Sequence, residues 1–254
     1  MSSFFKYILA TLLIASYSTS CGCATLFDFS SSNNFKNAPR KSFVQIDVST
    51  PDGESLGSGV IINHINNSNT IILTAGHICK PNTIEMKVLD LYEKPFKMVG
   101  MINSKEDDLC LVIVEGIIDG PALKAGNSYP EIGDHVFNIA APHGIHGPNM
   151  SLMFDGYYQG DLMFTGEKHT LSIFSTPGMG GSSGSPIFNK NFEVIGVVSR
   201  GLVDFHEFML CVNQDRTKKM IERSYGEEFI VEMNAAIANR QIILFDLLKK
   251  LFEN

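Results

Sequence analysis

Between Phe43 and Val212 the chain is a succession of short β-branched and aromatic runs, each closed by turn residues, with no helical period between them. The runs read "FVQIDVS", "GSGVIIN", "TIILTAG", "TIEMKVL" and "LCLVIV", then "DHVFNIAAP", "LMFDGYYQG", "TLSIFST", "EVIGVVSRG" and "FMLCV". Breaks such as Pro51-Asp52-Gly53 and Asn66-Asn67-Ser68-Asn69 hold residues that accept turn conformations. Many short strands at this spacing, without alternating helices, predict an all-β sandwich or barrel. A softer stretch near 116–130, with Gly, Asp and Pro, divides the runs into two lobes. At 254 residues and 44% hydrophobic content, one large β domain or two small lobes can bury a real core.

Helical sequence appears only afterwards. "NQDRTKKMIERSYG" offers Asn213 as N-cap and Gly226 as a stop. A second helix is expected from about Glu227 to Phe252, within a C-terminal segment 225–254. It sets Ile230, Met233, Ile237, Leu244, Leu248 and Leu251 near one face, to pack on the domain or a partner. Its charges are mixed in sign, unlike a membrane-surface helix. The whole chain has 19% charged residues and a formal net charge of −7. The first figure argues against disorder and the second against a nucleic-acid partner.

The start, "MSSFFKYILATLLIASYSTSCGC", has one early Lys, an apolar run from Tyr7 to Ala15 and then small polar residues. The run is too short for a membrane span, so residues 1–20 read as a signal peptide and the protein as exported: periplasmic, secreted or membrane-anchored. Small residues before Cys21 resemble a bacterial lipobox, although Ser18 stands where Leu is usual. Two readings follow: a lipid anchor at Cys21, giving membrane attachment, or plain cleavage. Residues 21–42, rich in Ser and Asn, read as a tether.

The stretch "TPGMGGSSGSPIF", Thr176 to Phe188, is either a flexible linker or the turn around a nucleophile. Gly180-Gly181-Ser182-Ser183-Gly184 satisfies G-x-S-x-G with Ser182 as nucleophile, but that elbow needs a strand before it and a helix after it. Here Pro186 and a β-rich run follow. The other parse, G-x-S-G-x-P, makes Ser183 the nucleophile. A serine hydroxyl needs a base, usually His, oriented by a buried carboxylate. Of seven histidines, His77 ends an apolar strand in "IILTAGHIC", where Ala75 and Gly76 leave room for neighbours. Asp108 in "KEDDLCLVIV" directly precedes a fully apolar strand, a costly place for a charge without a partner. Asp107 is the alternative; the residue abutting the strand is the better placed.

The order His77, Asp108, Ser183, with the motifs "LTAGHIC", "DDLCLVIV", "GGSSGSP" and "VIGVVSRG", resembles the trypsin-like (chymotrypsin-fold) serine proteases. "IGDHVFNIAAPHG" and "FMLCVNQDRTKKMIE" are most similar to the compact bacterial members of HtrA type, here without a PDZ domain. The likeness covers about residues 43–224. It implies two β-barrels with the active site between them, and a serine endopeptidase acting on protein or peptide substrates, with no cofactor or metal. By resemblance the N–H groups of Gly181 and Ser183 form the oxyanion hole. Pro177, Gly178, Met179, Gly180, Ser199, Arg200 and Gly201 should line the pocket for the residue before the cut.

Departures matter as well. Ser182 replaces the Asp that activates digestive enzymes, Pro177 aligns near the position of trypsin's Lys/Arg-selecting Asp, and Val198 replaces the His of glutamate-specific relatives. A catalytically inactive module that kept a peptide groove, or a structural surface lipoprotein, is the rival from another class. His143 and His146 in "PHGIHG" lack a carboxylate or third ligand nearby, and read as a loop beside the cleft rather than a metal site.

Of five cysteines, Cys79 follows His77 by two residues and Cys110 follows Asp108 by two. If His77 and Asp108 are within hydrogen-bond reach, their strands run close, and a Cys79–Cys110 disulfide becomes feasible in an exported protein. Two buried thiols are the alternative. Cys211 would then be free.

Overall fold

The computed structural model describes residues 39–202 and 205–252. The expected signal peptide, Cys21 and nearly all of the expected tether lie outside the described residues. Twelve strands form two closed antiparallel barrels. The first is built from β1 (Phe43–Thr50), β2 (Gly53–Ile65), β3 (Asn69–Ala75), β4 (Glu85–Leu89), β5 (Pro95–Ser104) and β6 (Leu109–Glu115). Its strand order is β1-β2-β3-β6-β5-β4. The second comprises β7 (His135–Ala140), β8 (Leu152–Leu162), β9 (Leu171–Phe174), β10 (Pro186–Phe188), β11 (Val194–Leu202) and β12 (Phe205–Val212), in the order β10-β11-β12-β9-β8-β7. Two helices follow, α1 (Gln214–Arg223) and α2 (Glu227–Phe252). The fold is all-β with C-terminal helices.

Why some runs are wholly apolar while others alternate follows from what covers each face. Side chains two apart share a face of a strand. Along β1, β2, β3 and β6, Val44, Ile46, Ile61, Ile72 and Val112 fill the interior of the first barrel. The residues between them face outward. Val60, Ile71, Leu73, Leu111 and Ile113 join Phe188, Val197 and Val212 of the second barrel in a shared core. Burial on both faces accounts for "IILTA" and "LCLVIV". By contrast, β8 alternates buried and exposed positions because solvent covers its outer face. Phe174, Ile187, Ile195 and Met209 fill the second barrel.

Asn213 caps α1, its side chain accepting the N–H of Arg216 at 3.3 Å. Helix α2 lies on β5 with Met233 and Ile237 of the expected face turned to the core and Leu244 half-buried. Phe229 and Met233 are buried in the shared core, whereas Ile230 is exposed. Arg240 sets that rotation: its guanidinium donates to the carbonyls of Thr83 and Ile84, each at 2.7 Å, so the Arg240 side of the helix must face the barrel. Among the described residues no helix is long and apolar enough to cross a membrane.

Candidate active site

The pairing of β3 with β6 puts Ala75 opposite Leu109. The chain leaves β3 through a single 3-10 turn, Gly76–Ile78, and enters β6 from Asp108, so this register alone brings His77 beside Asp108. A Cβ on Gly76 would sit 2.9–3.0 Å from the Asp108 backbone, so only glycine permits so close an approach. The His77 ring Nδ1 is 3.1 Å from both Asp108 carboxylate oxygens, and the His77 backbone N–H donates to Oδ1 at 2.9 Å. Asp107 is engaged elsewhere. It accepts the Ser104 hydroxyl at 2.8 Å and lies 3.8 Å from the Arg216 guanidinium.

A third donor completes the carboxylate's shell: the Ser199 hydroxyl donates to Asp108 Oδ2 at 2.5 Å. Burial pushes the Asp108 carboxyl upward, but the bonds from His77 and Ser199 and the nearby imidazole outweigh it and hold the carboxyl below its usual range. Cys79, just past the 3-10 turn, forms a disulfide with Cys110 of β6, their Cα atoms 6.4 Å apart, and Cys211 is free and buried.

Ser183 comes from the second barrel, in the turn between β9 and β10. Gly181 has φ +96° and a Cβ there would lie 2.5 Å from the Ala141 carbonyl, so the turn requires glycine at this point. Alternate carbonyls of the turn are tied down. That of Gly180 accepts the His143 N–H at 2.6 Å, and that of Ser182 accepts the Ser185 N–H at 3.0 Å. In a trans peptide the N–H points opposite to its carbonyl. The N–H groups of Gly181 and Ser183 are thereby turned away from these partners, and among the described residues neither finds a protein acceptor. Ser182 is buried, and its hydroxyl accepts the Met179 N–H at 3.3 Å. The Ser183 hydroxyl faces the cleft and lies 3.5 Å from the Ser199 carbonyl. No hydrogen bond joins it to His77.

His77, Asp108 and Ser183 share one open cleft of about 710 Å³. Gly178, Met179, Gly180, Ser199, Arg200 and Gly201 line it too. Pro177 is exposed and lies outside that lining. Counting back from the nucleophile gives a position in the turn but not the direction in which it faces. Lys105, Glu106, Glu167, Leu202 and His206 complete the walls. Two ion pairs cross there, Arg200–Glu167 at 2.8 Å and Lys168–Glu106 at 2.9 Å. Among the described residues no group of three or more His, Cys, Asp or Glu could hold a metal ion.

A family model described as Trypsin-like peptidase domain matches residues 57–197, more than half of the chain. The chain belongs to the trypsin-like peptidase family. A relative named "Probable periplasmic serine endoprotease DegP-like", from Rickettsia conorii, is 30% identical over 152 residues, or 58% of this chain. The match spans only 29% of that relative's length. The crystal structure of the active form of the Rv3671c protease from M. tuberculosis has a TM-score of 0.60 at 17% identity, over 72% of this chain and 81% of that one. The serine endoprotease from Yersinia pestis gives 0.59 at 20% identity, over 73% and 63%. The likeness to both of these protease structures is in the fold.

Proposed function

We propose that this trypsin-like peptidase is an active serine endopeptidase using His77, Asp108 and Ser183. The observation that carries this reading is the convergence in one cleft of a carboxylate-bound imidazole and a serine flanked by two unused N–H groups. His77 takes the Ser183 proton as Oγ attacks the substrate carbonyl, and Asp108 orients the ring and stabilises the imidazolium. The N–H groups of Gly181 and Ser183 hold the oxyanion. The tetrahedral intermediate collapses to an ester on Ser183 as His77 returns the proton to the departing amine, and water then hydrolyses the ester. The hydroxyl's present contact, at 3.5 Å, is at the limit of a hydrogen bond, so little opposes its turning to His77.

Protein or peptide substrates follow from the family. The R. conorii relative is named periplasmic. With the leader reading of residues 1–20, that supports export, either with a lipid anchor at Cys21 or by plain cleavage.

Labelling with a fluorophosphonate serine-hydrolase probe, together with peptide hydrolysis, tests the assignment. Ser183→Ala should lose both signals and stay folded, whereas Ser182→Ala should keep substantial activity. The reverse pattern would falsify the assignment of the nucleophile. A wild-type chain that binds peptides but neither cleaves them nor takes the label would be the inactive binding module instead.

A further inference from the structure

Ser58 lies on β2, in the first barrel, and is fully buried. It nonetheless makes direct contact with the nucleophile turn of the second barrel at two points. Its backbone N–H donates to the Ser183 carbonyl at 2.8 Å, and its hydroxyl donates to the Gly181 carbonyl, also at 2.8 Å. The same oxygen accepts the Ala141 N–H at 3.1 Å. Ala141 stands two residues before His143, whose N–H holds the Gly180 carbonyl. Four successive carbonyls, Gly180 to Ser183, therefore have fixed partners. Ser58 supplies two of them directly and steadies the segment that supplies a third.

We infer that Ser58 is a positioning residue for the oxyanion hole. The Gly181 peptide groups are those most free to rotate, because glycine populates both signs of φ. A peptide flip at Gly180–Gly181 would replace a donor N–H with a carbonyl at the place where negative charge develops. The Ser58 hydroxyl opposes that flip from both sides: it fixes the peptide after Gly181, and through Ala141 it fixes the strap that holds the peptide before it. The consequence for rate rests on the protease reading above; the clamp itself does not.

Two readouts on Ser58→Ala test this. The first is amide hydrogen exchange, which needs no catalysis. Exchange at Ala141 and His143 should rise about tenfold or more while the barrel amides keep their protection. Unchanged exchange at both positions overturns the clamp, whatever the activity. The second is kinetic. The value of kcat should fall by between about tenfold and the 10²–10³-fold typical of losing an oxyanion donor, with KM within about twofold. Affinity for a peptide boronate, whose adduct uses the same hole, should fall in parallel. Ser58→Thr, which keeps the hydroxyl, should restore both exchange and kcat. A fall in the fraction of titratable active sites at unchanged kcat per site would mark Ser58 as merely structural and overturn the inference. If Ser58→Ala does not fold, Ser58→Cys, a poorer donor of similar size, takes its place with the same expectations. A wild-type chain without hydrolysis would defeat the protease reading, and the exchange result would then decide the clamp alone.

Discussion

The two halves of the candidate site are held by different means. His77 and Asp108 both belong to the first barrel, at adjacent ends of paired strands, with a disulfide between the turn after β3 and the start of β6. Their proximity is a property of strand register, which cannot slip without exposing a whole apolar face. Ser183 sits in a loop of the second barrel whose shape depends on single hydrogen bonds from Ser58, His143 and Ser185. One half is fixed by many cooperative contacts and the other by a few polar ones. Perturbations of the first half should therefore appear in stability, and those of the second mainly in rate, except where a side chain itself takes part in chemistry.

Asp108→Asn should produce the largest effect and is that exception. With the carboxylate gone, the wrong imidazole tautomer is favoured, and kcat should fall by about 10⁴-fold. The melting temperature should change little, because the register remains. A melting temperature that collapses along with activity would mean that the pair is held by its charge rather than by its strands.

Removing the disulfide should be felt next. Reduction, or Cys79→Ser with Cys110→Ser, opens a loop of sequence separation 31. Chain-entropy reasoning puts the loss at about 3–4 kcal/mol of stability. Chemical denaturation of oxidised and reduced protein measures it. Activity should decline before unfolding begins, as the His77–Asp108 spacing loosens. Unchanged turnover up to the unfolding transition would show that register alone suffices.

The smallest expected effect lies on the loop side and depends on pH. Both ring nitrogens of His146 are buried without a hydrogen-bond partner, and the ring lies 5.9 Å from that of Phe43. Burial lowers its pKa below the usual value, against the opposing pull of Glu93, Asp90 and Asp47. The folded state thus resists protonation while the unfolded chain takes up a proton near pH 6.5. His146 contributes stability fully above that pH and loses it as pH falls toward the lowered folded value. Melting temperatures between pH 7 and 5 should show a slope that His146→Phe flattens. An equal slope in the variant would assign the acid sensitivity elsewhere.

How much of this was legible in the sequence varies with the kind of signal. Runs such as "TIILTAG" announce strands through branching and bounding turns, and chain order exposes His77, Asp108 and Ser183. The matched offsets of Cys79 and Cys110 became readable once the His–Asp contact was assumed. β5 was not legible, since it begins at Pro95 and its register shifts between Met98 and Gly100. β10, by contrast, is the β-rich run expected after the serine turn, though it has only three residues. The roles of Ser58 and His143 were hidden for a different reason. They act on the turn through backbone groups and a hydroxyl, and the partners of Ser58 lie 83 and 123 residues away. No residue type marks such a contact. On the buried face of α2, Met233 and Ile237 follow the apolar period, whereas Phe229 takes the place expected for Ile230, and Arg240 carries no sign in the sequence of facing inward.

Arg240 has a consequence for the order of events at the ribosome. The first barrel is fully synthesised at Glu115, yet the carbonyl of Thr83, at the entrance to β4, receives its cap from a residue 157 positions later. At about 5–20 residues per second that wait lasts roughly 8–30 s. Over the same interval the outward face of the barrel, with Leu73 and Leu111, awaits strands not yet made. The barrel translated first is thus among the last parts to be finished, and until then its outward apolar face stands uncovered.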